Sequence, residues 1–306
     1  MQKTYISTLY KFMKQDKNVI SCLSDSGTDY DEIIARELPL QVLNYGISEN
    51  NKVASASGLA SCGKIPFVYT TNAFLAYRSY EFVRDDVCLQ NRNVKIVGMG
   101  CGISWSTLGP THHTTEDISC LKALPNLILL SPASAKELEK CMEFAYNHVG
   151  PVYIRIGMGN EEEIYQDECK FELGKNVTIS EGKDAIIFTT GSIISEVLKA
   201  KEKLKEENID LKIINVSTIK PFDISSVINE GSNYKKIISV EEHNIIGGLG
   251  SSIADVIATN NLNTKLYKIG INDTFAKGYG TYQEMKEMNN LDSESIYKEV
   301  KKILSN

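Results

Sequence analysis

Length, composition and charge place this sequence among ordinary globular proteins. Its 306 residues are enough for two domains, and 42% hydrophobic with 24% charged residues is typical of a soluble folded chain. The net charge of −6, with acids and bases interspersed, lacks the clustered basic face of a nucleic-acid-binding protein. No apolar run approaches the roughly 20 residues that span a membrane. Without a signal-peptide pattern or a CxxC pair among the seven cysteines, we expect reduced thiols and a cytoplasmic location.

The first half of the chain alternates helical patterns with short apolar runs. Apolar residues recur at helical spacing from Tyr5 to Met13, which predicts a first helix. Further helices are predicted near 53–60, 76–89, 117–123 and 135–148. The intervening runs predict strands, in the order VISCLSD, QVLNYGI, IPFVYT, VKIVGMG, LILLSP and PVYIRIG. Short apolar strands that alternate with helices indicate an α/β domain with a largely parallel sheet.

A second alternation begins after an acidic stretch with weak periodicity, 157–182, which is predicted to be a linker. Strands are predicted at AIIFTTGS, LKIINVS, KKIISVEEH and TKLYKIG, with helices near 197–207 and 249–260. The sequence therefore predicts two α/β domains with largely parallel sheets, at residues 1–165 and 180–306.

Glu49 lies where the loop after QVLNYGI enters a helix that is rich in small residues. An acid at a helix start gains about 0.3–1 kcal/mol from the helix dipole. The local pattern alone favours this structural role, although a carboxylate in an otherwise apolar stretch also suits proton transfer.

Eight segments occur in an order that is typical of one enzyme family. They are GISENNKVASASGLASCGKIPFV, NVKIVG, GPTHHTTEDIS, LPNLILLSPAS, GPVYIRIG, TTGS, INVSTIKPFD and VEEHNIIGGLGSSIAD. Together they resemble the C-terminal half of transketolase over nearly the whole chain, and most closely the separately encoded second subunit of a split transketolase. Close relatives are 1-deoxyxylulose-5-phosphate synthase and the β subunits of 2-oxo-acid dehydrogenases. The resemblance implies a thiamine diphosphate pyrimidine-binding domain followed by the transketolase C-terminal domain.

The resemblance implies a catalytic and cofactor-binding role for Glu49. In thiamine diphosphate enzymes of this kind, a buried glutamate hydrogen-bonds a ring nitrogen of the aminopyrimidine and favours its imino tautomer. The exocyclic nitrogen can then take the proton from the thiazolium carbon. Such proton sharing requires a carboxyl group that is kept away from bulk water.

The same resemblance implies further contacts with the cofactor. Aromatic side chains of TTNAFLAYRSYEF would stack on the pyrimidine ring, and Phe74 and Tyr77 are the candidates. The alternative for both is the core face of a helix. Asp25, at the end of the first predicted strand, matches a family acid near the cofactor. Arg78 either lies near the substrate channel or faces solvent.

Two more residues are implied to bind substrate. His112, in GPTH, matches a histidine that faces the reacting carbons and would donate a hydrogen bond to the substrate oxygen. We expect the neighbouring His113 to contact and orient His112 rather than to contact the substrate. Arg155, in VYIRIG, matches an arginine that contacts acceptor phosphate or hydroxyl groups. The histidine pair has no third ligand nearby in the sequence, so no metal site is predicted in this chain.

Three positions depart from the transketolase pattern. Leu108 stands where an aspartate precedes GPTH, and Gly100 stands where a histidine often occurs. Lys3 is the only candidate for an N-terminal arginine that binds sugar phosphate, and a lysine is not an equal replacement. These departures indicate an unusual substrate or a less hydroxylated donor, such as pyruvate.

The sequence also lacks the family's GDG run, followed by asparagine, that holds Mg²⁺ and the diphosphate. We therefore expect half of each active site here, with thiamine diphosphate and Mg²⁺ held mainly by a separate N-terminal subunit in an α2β2 heterotetramer. The expected reaction transfers a two-carbon ketol unit from a ketose phosphate to an aldose. Two alternatives remain: a decarboxylating pyruvate–aldehyde condensation of the deoxyxylulose-phosphate-synthase type, and a non-catalytic scaffold subunit.

Overall fold

The computed structural model describes residues 1–25, 29–158 and 161–305. The strands are β1 Val19–Leu23, β2 Val42–Asn44, β3 Ile65–Thr71, β4 Lys95–Met99, β5 Ile128–Leu130, β6 Val152–Ile156, β7 Val177–Ser180, β8 Ala185–Thr190, β9 Leu211–Asn215, β10 Thr218–Lys220, β11 Lys236–Asn244 and β12 Lys265–Ile271. The helices are α1 Gln2–Gln15, α2 Asp29–Glu37, α3 Glu49–Ser61, α4 Tyr80–Phe82, α5 Asp117–Leu121, α6 Ala135–Asn147, α7 Ile194–Glu206, α8 Ile224–Asn233, α9 Leu249–Thr259, α10 Tyr282–Met288 and α11 Ser293–Ser305.

The strands of the described residues form two sheets. One has seven strands in the order β10-β5-β6-β4-β3-β1-β2, and all its pairs are parallel except β10 with β5. The other has five strands in the order β12-β11-β8-β9-β7, and only β7 with β9 is antiparallel. Helices accompany both sheets, which confirms the prediction of two α/β domains with largely parallel sheets.

Buried faces follow the sequence pattern closely. On α1, the side chains of Tyr5, Ile6, Leu9, Phe12 and Met13 are buried, as their helical spacing predicts. All residues of β1, β4 and β6 are buried, because strands in the middle of a parallel sheet are covered on both faces. No helix within the described ranges is long and apolar enough to cross a membrane.

Several elements differ from the prediction. Helix α3 begins at Glu49 rather than near residue 53, so the acid is its first residue. The helix predicted at 76–89 is divided into π-helical turns at Phe74–Arg78 and Val83–Leu89 around the short α4. The predicted linker contains β7, a strand at the edge of the second sheet.

Strand β10 lies in the second half of the chain but pairs with β5 of the first sheet. The two halves are therefore joined by main-chain hydrogen bonds as well as by side chains. The boundaries at residues 165 and 180 stay a prediction.

All seven cysteines lie in the described ranges and are free thiols. Five are buried, as expected for core residues, whereas Cys62 is exposed and Cys120 is half-buried.

Candidate functional site

Parallel strands bring most of the candidate residues to one edge of the seven-stranded sheet. Glu49 follows β2, Phe74 follows β3, and His112 lies in the loop after β4. Strands β2, β1, β3 and β4 are successive parallel neighbours, so their carboxyl ends open on the same edge. Ligands of open α/β sheets bind in the crevice outside such an edge.

Glu49, Phe74, Arg78 and His112 form a connected set, which we call the Glu49 group. Oε2 of Glu49 accepts a hydrogen bond from Nη1 of Arg78 at 2.7 Å. The Arg78 guanidinium carbon lies 4.6 Å from the centroid of the Phe74 ring, a cation–π distance. The His112 ring meets Phe74 edge-on, with centroids 5.1 Å apart. A carboxylate, a guanidinium, a phenyl ring and an imidazole thus occupy one site.

The position of Glu49 explains how a buried acid is accommodated. Only 2% of Glu49 is exposed to solvent, and an isolated carboxylate at that depth would be costly. As the first residue of α3, Glu49 lies at the positive end of the helix dipole, which favours an anion. The ion pair with Arg78, whose side chain is half-exposed, supplies the second stabilising contact.

Lys52 lies one turn after Glu49 and was not singled out from the sequence. Its side chain is fully buried, and Nζ donates hydrogen bonds to the main-chain oxygen of Tyr69 at 3.0 Å and to Oγ of Ser24. Burial lowers the pKa of Lys52 to about 8, although the charge of Glu49 opposes the shift. The sequence did contain a signal for Lys52. It is a single lysine in a helix of small residues, three residues after an acid, and side chains at this spacing lie on the same helix face.

Tyr77 and Asp25 lie outside the Glu49 group. The Tyr77 hydroxyl donates to Oε2 of Glu116 at 2.6 Å and accepts from the Glu116 main-chain N–H at 3.0 Å. Burial, followed by the charge of Asp117, raises the pKa of Tyr77. Asp25 is exposed at the end of β1, next to the serine that binds Lys52. Of the two aromatic candidates, Phe74 is therefore the one that contacts Arg78 and His112.

Arg155 lies in β6 and is buried, with its donors directed at internal acceptors. Nε donates to Oδ2 of Asp117 at 2.9 Å, and Nη2 donates to the main-chain oxygens of Thr114 at 3.3 Å and Glu242 at 2.9 Å. Burial is the largest influence and disfavours the charged form, but the charge of Asp117 and the weaker contributions of its acidic neighbours together outweigh burial, so the pKa of Arg155 is raised. In this chain Arg155 thus links α5 to β11, and its role towards substrate stays a prediction.

Asp117 is the centre of a buried polar cluster that the sequence analysis did not identify. Besides Arg155, it accepts hydrogen bonds from Asn72 Nδ2 at 3.0 Å and from the Tyr153 hydroxyl at 2.8 Å. Asp117 appears in the quoted segment GPTHHTTEDIS, so the residue was visible but its partners, which lie on β6 and after β3, were not.

The two adjacent histidines differ in how deeply they are buried. His112 contacts Phe74 and lies 6.2 Å from Trp105, ring to ring, whereas His113 is buried and burial lowers its pKa. Within the described ranges, no three His, Cys, Asp or Glu side chains are grouped closely enough to hold a metal ion.

Comparison with known proteins gives matches along nearly the whole chain. Residues 1–161 match the family described as the transketolase pyrimidine-binding domain, and residues 174–296 match the transketolase C-terminal domain. A Methanocaldococcus jannaschii protein, whose name describes a transketolase C-terminal section, is 37% identical over 98% of this chain and 95% of its own length. One chain of the apulose-4-phosphate transketolase of Actinobacillus succinogenes is 36% identical over 85% of this chain and 84% of its own length.

A solved structure agrees with these sequence matches. The structure described as a split gene transketolase, an inactive β4 tetramer, superposes with a TM-score of 0.90 at 30% identity, covering 99% of this chain and 98% of the other. Both α/β domains and their order are therefore shared, and the chain belongs to the transketolase family.

Proposed function

We propose that this chain is the C-terminal, β-type subunit of a two-subunit transketolase, and that it transfers a two-carbon ketol unit from a ketose phosphate to an aldose. The observation that carries the proposal is the Glu49 group. A buried carboxylate at a helix start lies in one site with a phenyl ring and an imidazole, at the carboxyl edge of a parallel sheet.

The residues of the Glu49 group fit an aminopyrimidine. Glu49 can share a proton with a ring nitrogen, and Phe74 offers a flat apolar face on which such a ring can stack. When bound, thiamine diphosphate would supply the nucleophilic carbon that breaks and forms the carbon–carbon bonds. The Mg²⁺ and diphosphate sites are assigned to the partner, since this sequence lacks the family's GDG pattern.

The remaining residues of the group would bind and orient substrate. His112 can donate a hydrogen bond to the substrate oxygen as negative charge develops there. Arg78 is half-exposed and already within 2.7 Å of Glu49, so its guanidinium can hold the carboxylate in place and face the substrate channel. Arg78 would have to release Oε2 of Glu49 if a ring nitrogen of the cofactor binds that same oxygen.

The partner is proposed to be a separate N-terminal subunit, in an α2β2 assembly. Relatives of matching length are named as individual subunits of apulose-4-phosphate transketolases. This supports a separately encoded partner subunit for this chain as well. The solved relative is described as an inactive β4 tetramer, so we expect this chain alone to be inactive too.

A decarboxylating condensation of pyruvate with an aldehyde is the second candidate, and Gly100 favours it. Gly100 has a φ of +81°, and a Cβ at this position would overlap the indole of Trp105. A histidine, which sugar-reading relatives often have here, therefore does not fit this backbone. The nearby Leu108 is 43% exposed and offers no hydrogen bond to a hydroxyl group.

Co-expression with the diphosphate-binding subunit tests these candidates. With thiamine diphosphate and Mg²⁺ present, xylulose 5-phosphate and pyruvate are offered as separate donors, with ribose 5-phosphate or glyceraldehyde 3-phosphate as acceptor. Consumption of the ketose phosphate without CO₂ release supports the transketolase reaction. Consumption of pyruvate alone, with CO₂ release, would instead support the decarboxylating condensation.

Glu49→Gln separates a catalytic subunit from a scaffold. We expect the activity of the reconstituted complex to fall about 100-fold or more, the scale of losing a positioned proton-transfer group. Glu139→Gln, at a half-exposed glutamate on α6, is the matched control and should have full activity. Normal activity of the Glu49→Gln complex would show that the chain acts as a scaffold.

A further inference from the structure

The loop that contains His112 packs against the second α/β domain. Gly102 and Thr114 close the loop at its base through two main-chain hydrogen bonds, of 3.0 and 2.8 Å. We call residues 102–114 the His112 loop. In this loop, the main-chain oxygen of Ser106 accepts a hydrogen bond from the Gly280 N–H at 3.3 Å, and Gly109 lies against the ring of Tyr279.

Glu242, near the end of β11, holds the base of this loop. Its side chain is buried, and Oε1 accepts the main-chain N–H of Ile103 at 2.6 Å. Oε2 accepts the hydroxyl hydrogen of Tyr282, in α10, so both oxygens are occupied by donors on different elements. The main-chain oxygen of Glu242 accepts from Arg155, which also donates to Thr114 O at the other end of the loop.

The fit between loop and carboxylate is close. A Cβ at Gly102 would overlap Oε1 of Glu242, and Gly102 has a φ of +64°, so the backbone can approach only because this residue is glycine. Burial raises the pKa of Glu242, with Tyr282 and Arg155 opposing the shift. Both side-chain hydrogen bonds point towards the carboxylate, an arrangement that suits the ionised acid.

We propose that Glu242 is a positioning residue: from the second α/β unit, it fixes the base of the His112 loop and thereby the place of His112 against Phe74. The effect on turnover rests on the proposed function, whereas the effect on the place of His112 does not. A shift of about 1 Å in a group that contacts substrate is enough to lower a rate about 100-fold.

The place of His112 can be measured in the isolated chain by NMR. The sequence has four histidines, so labelling their Cε1 atoms with ¹³C gives four resonances, and His112→Gln identifies the relevant one. We expect Glu242→Ala to move the His112 resonance by more than its linewidth. Glu242→Gln retains an acceptor for Ile103 and should leave it near its original position, with the His148 resonance as a fixed internal reference.

Asn215→Ala is the matched control. Asn215 is buried on β9 and donates to the Glu137 carboxylate at 2.9 and 3.0 Å, so it links the two halves of the chain without contacting the His112 loop. It should leave the His112 resonance unchanged. Tyr282→Phe removes one hydrogen bond from Glu242 without removing the acid, so it provides a smaller displacement should Glu242→Ala fail to fold.

Kinetics of the reconstituted complex provide the second readout. We expect Glu242→Ala to lower kcat at least tenfold, with the KM for thiamine diphosphate changed less than twofold, and Glu242→Gln to restore most of kcat. In a His112→Ala background the same Glu242 change should lower kcat less than twofold, because its effect acts through His112.

The outcomes separate the two proposals. An unmoved His112 resonance in both Glu242→Ala and Tyr282→Phe overturns the positioning role, as does an undiminished loss of kcat in the His112→Ala background. A moved resonance in a chain whose wild-type complex has no activity supports the positioning role and overturns the proposed function.

Discussion

Lys52 gives a test of the burial around Glu49 that requires no partner subunit. Its ammonium group is fully enclosed, and burial lowers its pKa from 10.5 to about 8. The unfolded chain therefore binds more protons than the folded one between about pH 8 and pH 10.5. Stability rises with pH wherever the unfolded state binds more protons, so Lys52 penalises the folded state at neutral pH and ceases to do so in alkali.

The size of the effect follows from the two pKa values. Integrating the proton-binding difference gives a gain of about 1.3 kcal/mol in the free energy of unfolding between pH 7 and pH 9. Below pH 7 both states carry the charge, and the contribution no longer changes with pH. Other buried lysines, such as Lys95, titrate in a similar range, so the prediction concerns a difference between two proteins.

Lys52→Met removes the charge and approximately retains the side-chain volume. Urea unfolding of both proteins at pH 7 and pH 9, at one protein concentration, measures the difference in stability. We expect this difference to shift by about 1.3 kcal/mol in favour of the wild type at pH 9. Lys17→Met, at an exposed lysine, is the control and should show no such shift.

A Lys52→Met protein with the same pH dependence as the wild type would refute the reasoning. It would mean that the ammonium remains well solvated or paired in the folded protein, and that the neighbourhood of Glu49 is not as dry as its burial indicates.

Two further predictions concern the buried cluster and the thiols. Asp117→Asn leaves the buried charge of Arg155 without its partner and should lower the free energy of unfolding by about 3–5 kcal/mol in urea titrations. Adding Arg155→Met should recover part of this loss, and no recovery would show that the ion pair is not the cause. Cys62, the exposed cysteine, should account for the fast phase of the reaction with a thiol reagent. Cys62→Ser should abolish that phase, and its persistence would place the accessible thiol elsewhere.

Local sequence patterns determined the regular elements near the middle of each sheet. Strands such as β1, β4 and β6 are apolar throughout because both faces are covered, and this pattern is visible without any tertiary information. Edge elements were harder to find. Strand β10 exists because it pairs with β5, some 90 residues earlier, and its sequence of three residues has no period of its own.

Helix α11 was missed although its pattern was present. Ile296, Val300 and Ile303 are buried at helical spacing on one face of SESIYKEVKKILS. The helix packs along α7, whose own pattern was recognised, so the signal was available in both partners.

The sequence by itself determined the family and the α/β architecture, because the order of eight segments is a property of the chain alone, and it supplied the candidate residues of the site. The tertiary structure decided which of those residues meet. Arg78 reaches Glu49 across 29 positions and Arg155 reaches Asp117 across 38. Such pairings depend on how parallel strands align their carboxyl ends and on where one α/β unit rests against the other, and neither is encoded in a local period.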